Sequence, residues 1–162
     1  MSSIRAAFIL AVFLTVTLLL IPFQWLLLAL NLPARRTFPH RYHRFVAHLF
    51  GIKIRVLGKP PPGPALLLAN HTSWLDIVIF SAVMPLSFIA KSEVGSWPFF
   101  GTLARLQRTV FVTRARRSET GQARDAIAER LAQGDVLVLF PEGTSDDGNS
   151  VLPFKSALLS AA

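Results

Sequence analysis

Ala65-Leu66-Leu67-Leu68-Ala69-Asn70-His71-Thr72-Ser73-Trp74-Leu75-Asp76 decides how this chain is read. A short, wholly apolar run breaks into a polar loop. A helical pattern then spans Trp74 to Val83, with Ser73 as its cap and Pro85 ending it. The same alternation recurs downstream. Leu86 to Ala90, Thr109 to Thr113 and Val136 to Phe140 read as strands, and Pro98 to Leu106 as a short helix. Ser118 to Gln133 is the clearest helix, with Ala123, Ile127 and Leu131 on one face, charges on the other and Gly134 at its end. Upstream, Ile52 to Leu57 reads as a further strand, and Lys59 to Pro64 as a proline-rich turn that no helix crosses. Strands alternating with helices predict an α/β domain with a mostly parallel sheet flanked by helices.

The amino-terminal third has a different character. Ala6 to Leu30 carries no charge over about 25 residues, enough to cross a hydrocarbon core of ~30 Å at ~1.5 Å per residue. Pro22 and Gln24 interrupt it, so the expectation is a membrane helix or a helical hairpin. The run is too long, and lacks the small-residue cleavage site, for a secretory signal. Residues 1–75 hold eight Lys or Arg and no Asp or Glu, whereas residues 76–162 hold nine of each, so the net charge of +8 belongs to the first part. A basic, acid-free segment beside an apolar one points to an anionic membrane surface, and no recognition motif accompanies it to suggest nucleic acid. Arg35, Arg36, Arg41 and Arg44 follow the apolar run and only Arg5 precedes it, which puts the rest of the chain on the cytoplasmic side. His40, His43 and His48 fall in a basic helix expected from about Pro39 to Phe50; without a nearby carboxylate or thiol they imply no metal. Residues 1–50 are thus an anchor with a basic juxtamembrane segment, and 51–162 the globular domain. Over half the residues are apolar and the mean hydropathy is +0.47, which also suggests membrane contact. The absence of cysteine excludes disulfides, thiolate catalysis and Cys-ligated zinc, and fits a reducing compartment.

Open α/β sheets carry their sites at the carboxyl ends of the strands. His71 follows one expected strand, Arg114 a second and Glu142 a third. A carboxylate beside a histidine fixes its tautomer and makes it a general base. His71 and Asp76 lie five positions apart, ~140° around a continuous helix, so they meet only if His71 lies in the loop before the Ser73 cap. Ser73-x-x-Asp76 is equally a capping box, in which Asp76 binds only backbone amides. Phe140-Pro141-Glu142-Gly143-Thr144 likewise reads two ways, as a site segment or as an ordinary turn ending a strand.

Taken together, these segments resemble the glycerolipid acyltransferase family. The resemblance extends through Phe88-Ile89-Ala90-Lys91-Ser92-Glu93, Trp97-Pro98-Phe99-Phe100-Gly101, Thr109-Val110-Phe111-Val112-Thr113-Arg114 and Leu152-Pro153-Phe154-Lys155-Ser156-Ala157, covering roughly Ile52 to the end. It implies a catalytic pair, His71 as general base and Asp76 orienting and charging it. The implied reaction is acyl transfer from acyl-CoA or acyl-carrier protein to a lysolipid hydroxyl, with no metal or bound cofactor. It also implies that Lys91 and Arg114 bind the acceptor phosphate and that Glu142, Gly143 and Thr144 form the acceptor-binding motif. Arg105, Arg108, Arg116 and Arg117 are available to donor phosphates, or are plain basic surface.

Two departures qualify the expectation. Many members that use lysophosphatidic acid carry Arg after Glu-Gly-Thr, but here Ser145 is followed by Asp146 and Asp147. That run looks more like the branch acylating lyso-ornithine lipid, whose headgroup bears an amine and a carboxylate. Both acceptors stay open. The chain also stops before the family's last motif, a Val/Pro-rich strand, so a carboxyl-terminally truncated domain is expected. The competing readings are a catalytically inactive, membrane-anchored lipid-binding module and a plain interaction domain.

Overall fold

The structure, a computed structural model, describes residues 3–113 and 117–154, and for 117–120 the backbone alone. The described residues fall into two compact units. The first runs to Leu57 and includes Val78–Pro85; the second comprises Gly58–Ile77 and the residues from Leu86 onward.

The first unit is helical. Helix α1, Ser3–Ala29, is long and apolar enough to cross a membrane. Its apolar residues point outward all round, including Phe8, Leu10, Leu18, Leu19 and Trp25, and within the protein it buries only Thr17, Gln24 and Leu27. Asn31 then takes a left-handed conformation (φ 54°), and Leu32 N–H donates to Leu27 O, which caps the helix and turns the chain. Helix α2, Ala34–Leu49, packs back on α1. It starts five residues before the expected Pro39, which lies inside it. Proline has no N–H for the carbonyl four residues earlier, that of Arg35. Gln24 Nε2 donates to Arg35 O instead, at 3.1 Å. The polar residue that seemed to interrupt α1 thus satisfies the carbonyl that Pro39 orphans. Thr17 Oγ1 and Tyr42 Oη lie 2.6 Å apart and tie the two helices once more.

Ile52 to Leu57 forms no strand, contrary to the sequence reading. Its alternation is real, with Ile52 and Ile54 half-buried and Lys53 and Arg55 exposed. The apolar side chains, however, pack against Val46, Ala47 and Val78 of helices rather than against a sheet.

The second unit holds a four-stranded, wholly parallel sheet: β1 Ala65–Leu68, β2 Ser87–Lys91, β3 Val110–Val112 and β4 Val136–Leu139, in the order β1-β4-β2-β3. Its connections hold α3 (Leu75–Val83, whose residues from Val78 on belong to the first unit), α4 (Phe100–Leu106) and α5 (Arg117–Ala132). Strands buried on both faces are continuous apolar runs, and all four residues of β4 are buried. Ala123 and Ile127 of α5 lie with Ile89, Val110, Val112, Leu137 and Leu139 in one core. Burying Ile127 or Leu137 completely stabilises the fold by ~1.5–3 kcal/mol each.

A one-turn 3-10 helix, Ser92–Ser96, follows β2 and had no counterpart in the sequence reading. Gly101, at the start of α4, packs so closely on it that a Cβ would lie 2.4 Å from Gly95 O. Between them Phe99 sits at φ 61°, ψ −57°, the positive-φ γ-turn, with Phe100 N–H donating to Pro98 O at 2.6 Å. For a bulky residue that conformation costs about 1–3 kcal/mol.

Candidate active site

Because all four strands are parallel, their carboxyl ends share one edge. Along it, in sheet order, come the loop carrying His71, then Phe140 to Thr144, then Lys91, then the end of β3. Neighbouring strands lie ~4.8 Å apart, so His71 and Lys91 leave strands separated by roughly 10 Å.

His71 lies in the loop ahead of α3, and its Nδ1 is 2.8 Å from Asp76 Oδ2. Asp76 meets the imidazole and main-chain amides together, so its bonds are not confined to the backbone. The same Oδ2 accepts the backbone N–H of Thr72 at 2.7 Å and of Ser73 at 3.0 Å, and Ser73 Oγ accepts that of Leu75 at 3.2 Å. Thr72 Oγ1 donates to the other oxygen, Oδ1, at 3.2 Å. Burial pushes the Asp76 carboxyl up, but the amides of Ser73 and Thr72, together with the His71 ring, outweigh it and hold the group below the usual carboxylate range. An ionised Asp76 requires a donor at Nδ1, which leaves Nε2 of a neutral imidazole with its lone pair.

The backbone of His71 is gripped from both sides. Its N–H donates to Glu142 Oε2 at 2.9 Å, and its carbonyl accepts from Asp146 N at 2.9 Å. The Phe140 ring stacks on the imidazole with centroids 4.2 Å apart and planes 18° apart, and the ring of Phe88 in β2 lies near-parallel to Phe140 at 6.1 Å. Sequence reasoning assigned no role to either phenylalanine. The signal available was their place at the ends of apolar strands.

Glu142 is 3% exposed, and Leu152 N–H donates to its second oxygen at 2.9 Å. It joins the His71 loop to the segment at Leu152 through main-chain bonds. Gly143 (φ 72°) makes the turn that follows, with its N–H on Phe140 O, and leaves Thr144 exposed on the edge. Lys91 is exposed at the end of β2. Arg114 and Arg116 lie outside the described residues, as does the side chain of Arg117.

Arg108 is not free for a donor phosphate. It precedes β3, at the opposite edge of the sheet, and donates both Nη atoms to Asp135 at 3.1 and 2.8 Å. Arg105 Nη2 donates to Gly95 O at 2.6 Å, and its guanidinium lies 6.0 Å from the Phe111 ring centroid. Among the described residues, no group of three or more His, Cys, Asp or Glu is placed to hold a metal ion. His40 and His43 turn their Nδ1 atoms to the carbonyls of Ser81 and Pro39.

The acyltransferase family model matches residues 52–162, the segment that contains every element of this edge. The chain belongs to the acyltransferase family. A lyso-ornithine lipid O-acyltransferase of Brucella abortus (strain 2308) is 55% identical to it over 99% of this chain and 60% of that relative. A 1-acyl-sn-glycerol-3-phosphate acyltransferase of Neisseria gonorrhoeae is 42% identical over 65% of this chain and 43% of its own length. Among solved structures, a 1-acyl-sn-glycerophosphate (LPA) acyltransferase from Thermotoga maritima superposes with a TM-score of 0.64 at 26% identity, covering 99% of this chain and 70% of that one. This acyltransferase-family chain thus spans about half of the curated relatives it matches.

Proposed function

We propose that the protein transfers a fatty acyl group from a thioester, acyl-CoA or acyl-carrier protein, to the hydroxyl of a lysolipid in a membrane. The observation that carries this reading is the contact of His71 Nδ1 with Asp76 Oδ2, which leaves Nε2 as the base on a half-open edge. Nε2 takes the hydroxyl proton as the oxygen attacks the thioester carbonyl. The tetrahedral intermediate collapses to the ester, the carbon–sulfur bond breaks, and the leaving thiolate takes the proton back from the imidazolium. General-base assistance of this kind is worth ~10²–10⁴-fold, and fixing both substrates on the edge adds to it. Lys91, Arg114, Gly143 and Thr144 are assigned to the acceptor headgroup, while Glu142 acts through the loop that it holds. No metal or bound cofactor takes part.

Lyso-ornithine lipid is the acceptor favoured. Ser145, Asp146 and Asp147 stand where a phosphate-binding site would want a cation, and two carboxylates suit an amine-bearing headgroup better than a phosphate. The similarity to the Brucella abortus relative supports the same choice. Helix α1 anchors the protein, and the arginines that follow it favour a cytoplasmic catalytic unit.

In membranes holding the intact protein, His71→Ala should abolish lysolipid-dependent release of free CoA while membrane association persists. Unchanged release removes His71 as the base. Offered both acceptors, the same membranes should turn over lyso-ornithine lipid faster; a preference for lysophosphatidic acid defeats the headgroup assignment.

A further inference from the structure

We propose that Trp97, Phe99 and Phe100 form an aromatic edge that inserts the second unit into the headgroup–acyl boundary of an anionic bilayer, beside the acyl-transfer site. The inference rests on the reading that the acceptor is a membrane lipid. Trp97 and Phe100 are 56% and 57% exposed, and the rings of Phe99 and Phe100 meet edge to face at 5.7 Å. The segment that carries them holds a positive-φ turn at Phe99 and a close approach of Gly101 to Gly95 O. A phenylalanine keeps such a conformation only where its surroundings over-determine it, and retained strain gathers at functional surfaces.

Position and charge say what meets this edge. The turn follows the carboxyl end of β2 by way of the 3-10 helix, and α4 then leads back to Arg108 at the opposite edge of the sheet. The segment that carries the aromatic residues thus leaves the sheet at the edge that carries His71, where the proposed lipid acceptor arrives. From Val94 to Ser118 the sequence contains no Asp or Glu but five arginines, Arg105, Arg108, Arg114, Arg116 and Arg117. Arg108 is neutralised by Asp135, whereas Arg105 lies exposed in α4. Exposed Trp and Phe next to an arginine with no carboxylate partner among the described residues suit the interface of an anionic membrane, where aromatic rings sit at headgroup level and cations face lipid phosphate.

The test uses the intact protein, with every tryptophan other than Trp97 replaced by phenylalanine, on vesicles of phosphatidylcholine and phosphatidylglycerol. Trp97 emission should shift to the blue and be quenched by lipids brominated near the headgroup, while aqueous iodide loses access to it. Quenching by iodide as strong as in detergent, or shielding from both quenchers because protein covers the residue, overturns the proposal. A second arm measures turnover of the Trp97→Ser/Phe100→Ser double variant. Its rate on vesicle-borne lysolipid should fall about tenfold while its rate on a short-chain, monomerically dispersed lysolipid stays within about twofold of the parent. Equal loss on both acceptors would show that the residues serve turnover or folding instead. If the unaltered protein acylates neither acceptor, the proposed reaction fails, and the quenching result, which needs no turnover, still decides the membrane contact.

Discussion

One oxygen of Asp76 meets the His71 ring and accepts the amides of Thr72 and Ser73, so a single side chain both ties down the start of α3 and orients the imidazole. The two duties separate by substitution. Asp76→Asn keeps an acceptor for the amides but removes the charge that supports the imidazolium. It should cost about 10²–10⁴ in kcat with little change in stability. Asp76→Ala should cost as much activity and a further ~0.5–2 kcal/mol, the worth of a lost cap, read by denaturant unfolding. The folded carboxyl titrates below its ordinary value, so between the two values the unfolded chain binds the proton more readily. The stabilisation is complete above about pH 4 and lost as pH falls through the folded value, so Asp76→Asn should flatten the acid side of the stability curve. Glu142 gives a second test. In Glu142→Gln one amide nitrogen must face a main-chain N–H, of His71 or of Leu152, leaving a donor unpaired at about 1–3 kcal/mol. If Glu142 works through the His71 loop, kcat should fall while KM for the lysolipid stays put; a rise in KM alone would mean that it touches the acceptor. The His71–Asp76 contact was legible in sequence, because a motif of side chains records it. The role of Glu142 was not, because its partners are backbone amides that every residue carries.

Between elements, the edge of the sheet away from the site is closed by charge. Asp135, ahead of β4, takes Arg108 from the residues before β3 and Arg130 from α5, and Arg130 reaches on to Arg108 O and to Ser87 Oγ at the start of β2. Arg108 stands at the left-handed residue ending α4 (φ 61°), a place usually given to glycine, and its carbonyl and guanidinium both enter the network. Burial raises the Asp135 carboxyl, but hydrogen bonds from Arg108 and Arg130 prevail and leave it below the ordinary range. Asp135→Asn should leave two arginines undercompensated and lower stability by about 3 kcal/mol at neutral pH. The deficit should shrink below about pH 4, where the wild-type carboxyl also loses its charge; a deficit independent of pH would mean that packing, not charge, is at stake. The same elements show what a sequence reveals. The four strands of the sheet were readable because strands buried on both faces are unbroken apolar runs, and α5 because its apolar face repeats at helical spacing. Ile52 to Leu57 misled because an alternating face is satisfied as well by helices as by a sheet. The start of α2 was misplaced because Pro39 reads as a beginning, and only the pairing with Gln24 makes it tolerable inside the helix.

At the scale of the whole molecule, the proposed attachment to a membrane draws on two forces of different range. Helix α1 presents apolar side chains on all sides, and their transfer from water does not depend on salt. The charge is the other force. Arg41, Arg44, Lys53, Arg55 and Lys59 are exposed, no acid precedes Asp76, and each cation near an anionic surface contributes ~1 kcal/mol. That attraction fades as the screening length falls from ~10 Å at 0.1 M salt to ~3 Å at 1 M. In flotation assays the protein should therefore prefer anionic over zwitterionic vesicles at 0.1 M salt and lose the preference at 1 M, while staying bound to both. Release from both at high salt would show that charge alone holds it and that α1 does not insert. Retention of the full preference at 1 M would place the basic side chains in a specific headgroup pocket, because screening weakens exposed pairs far more than buried ones.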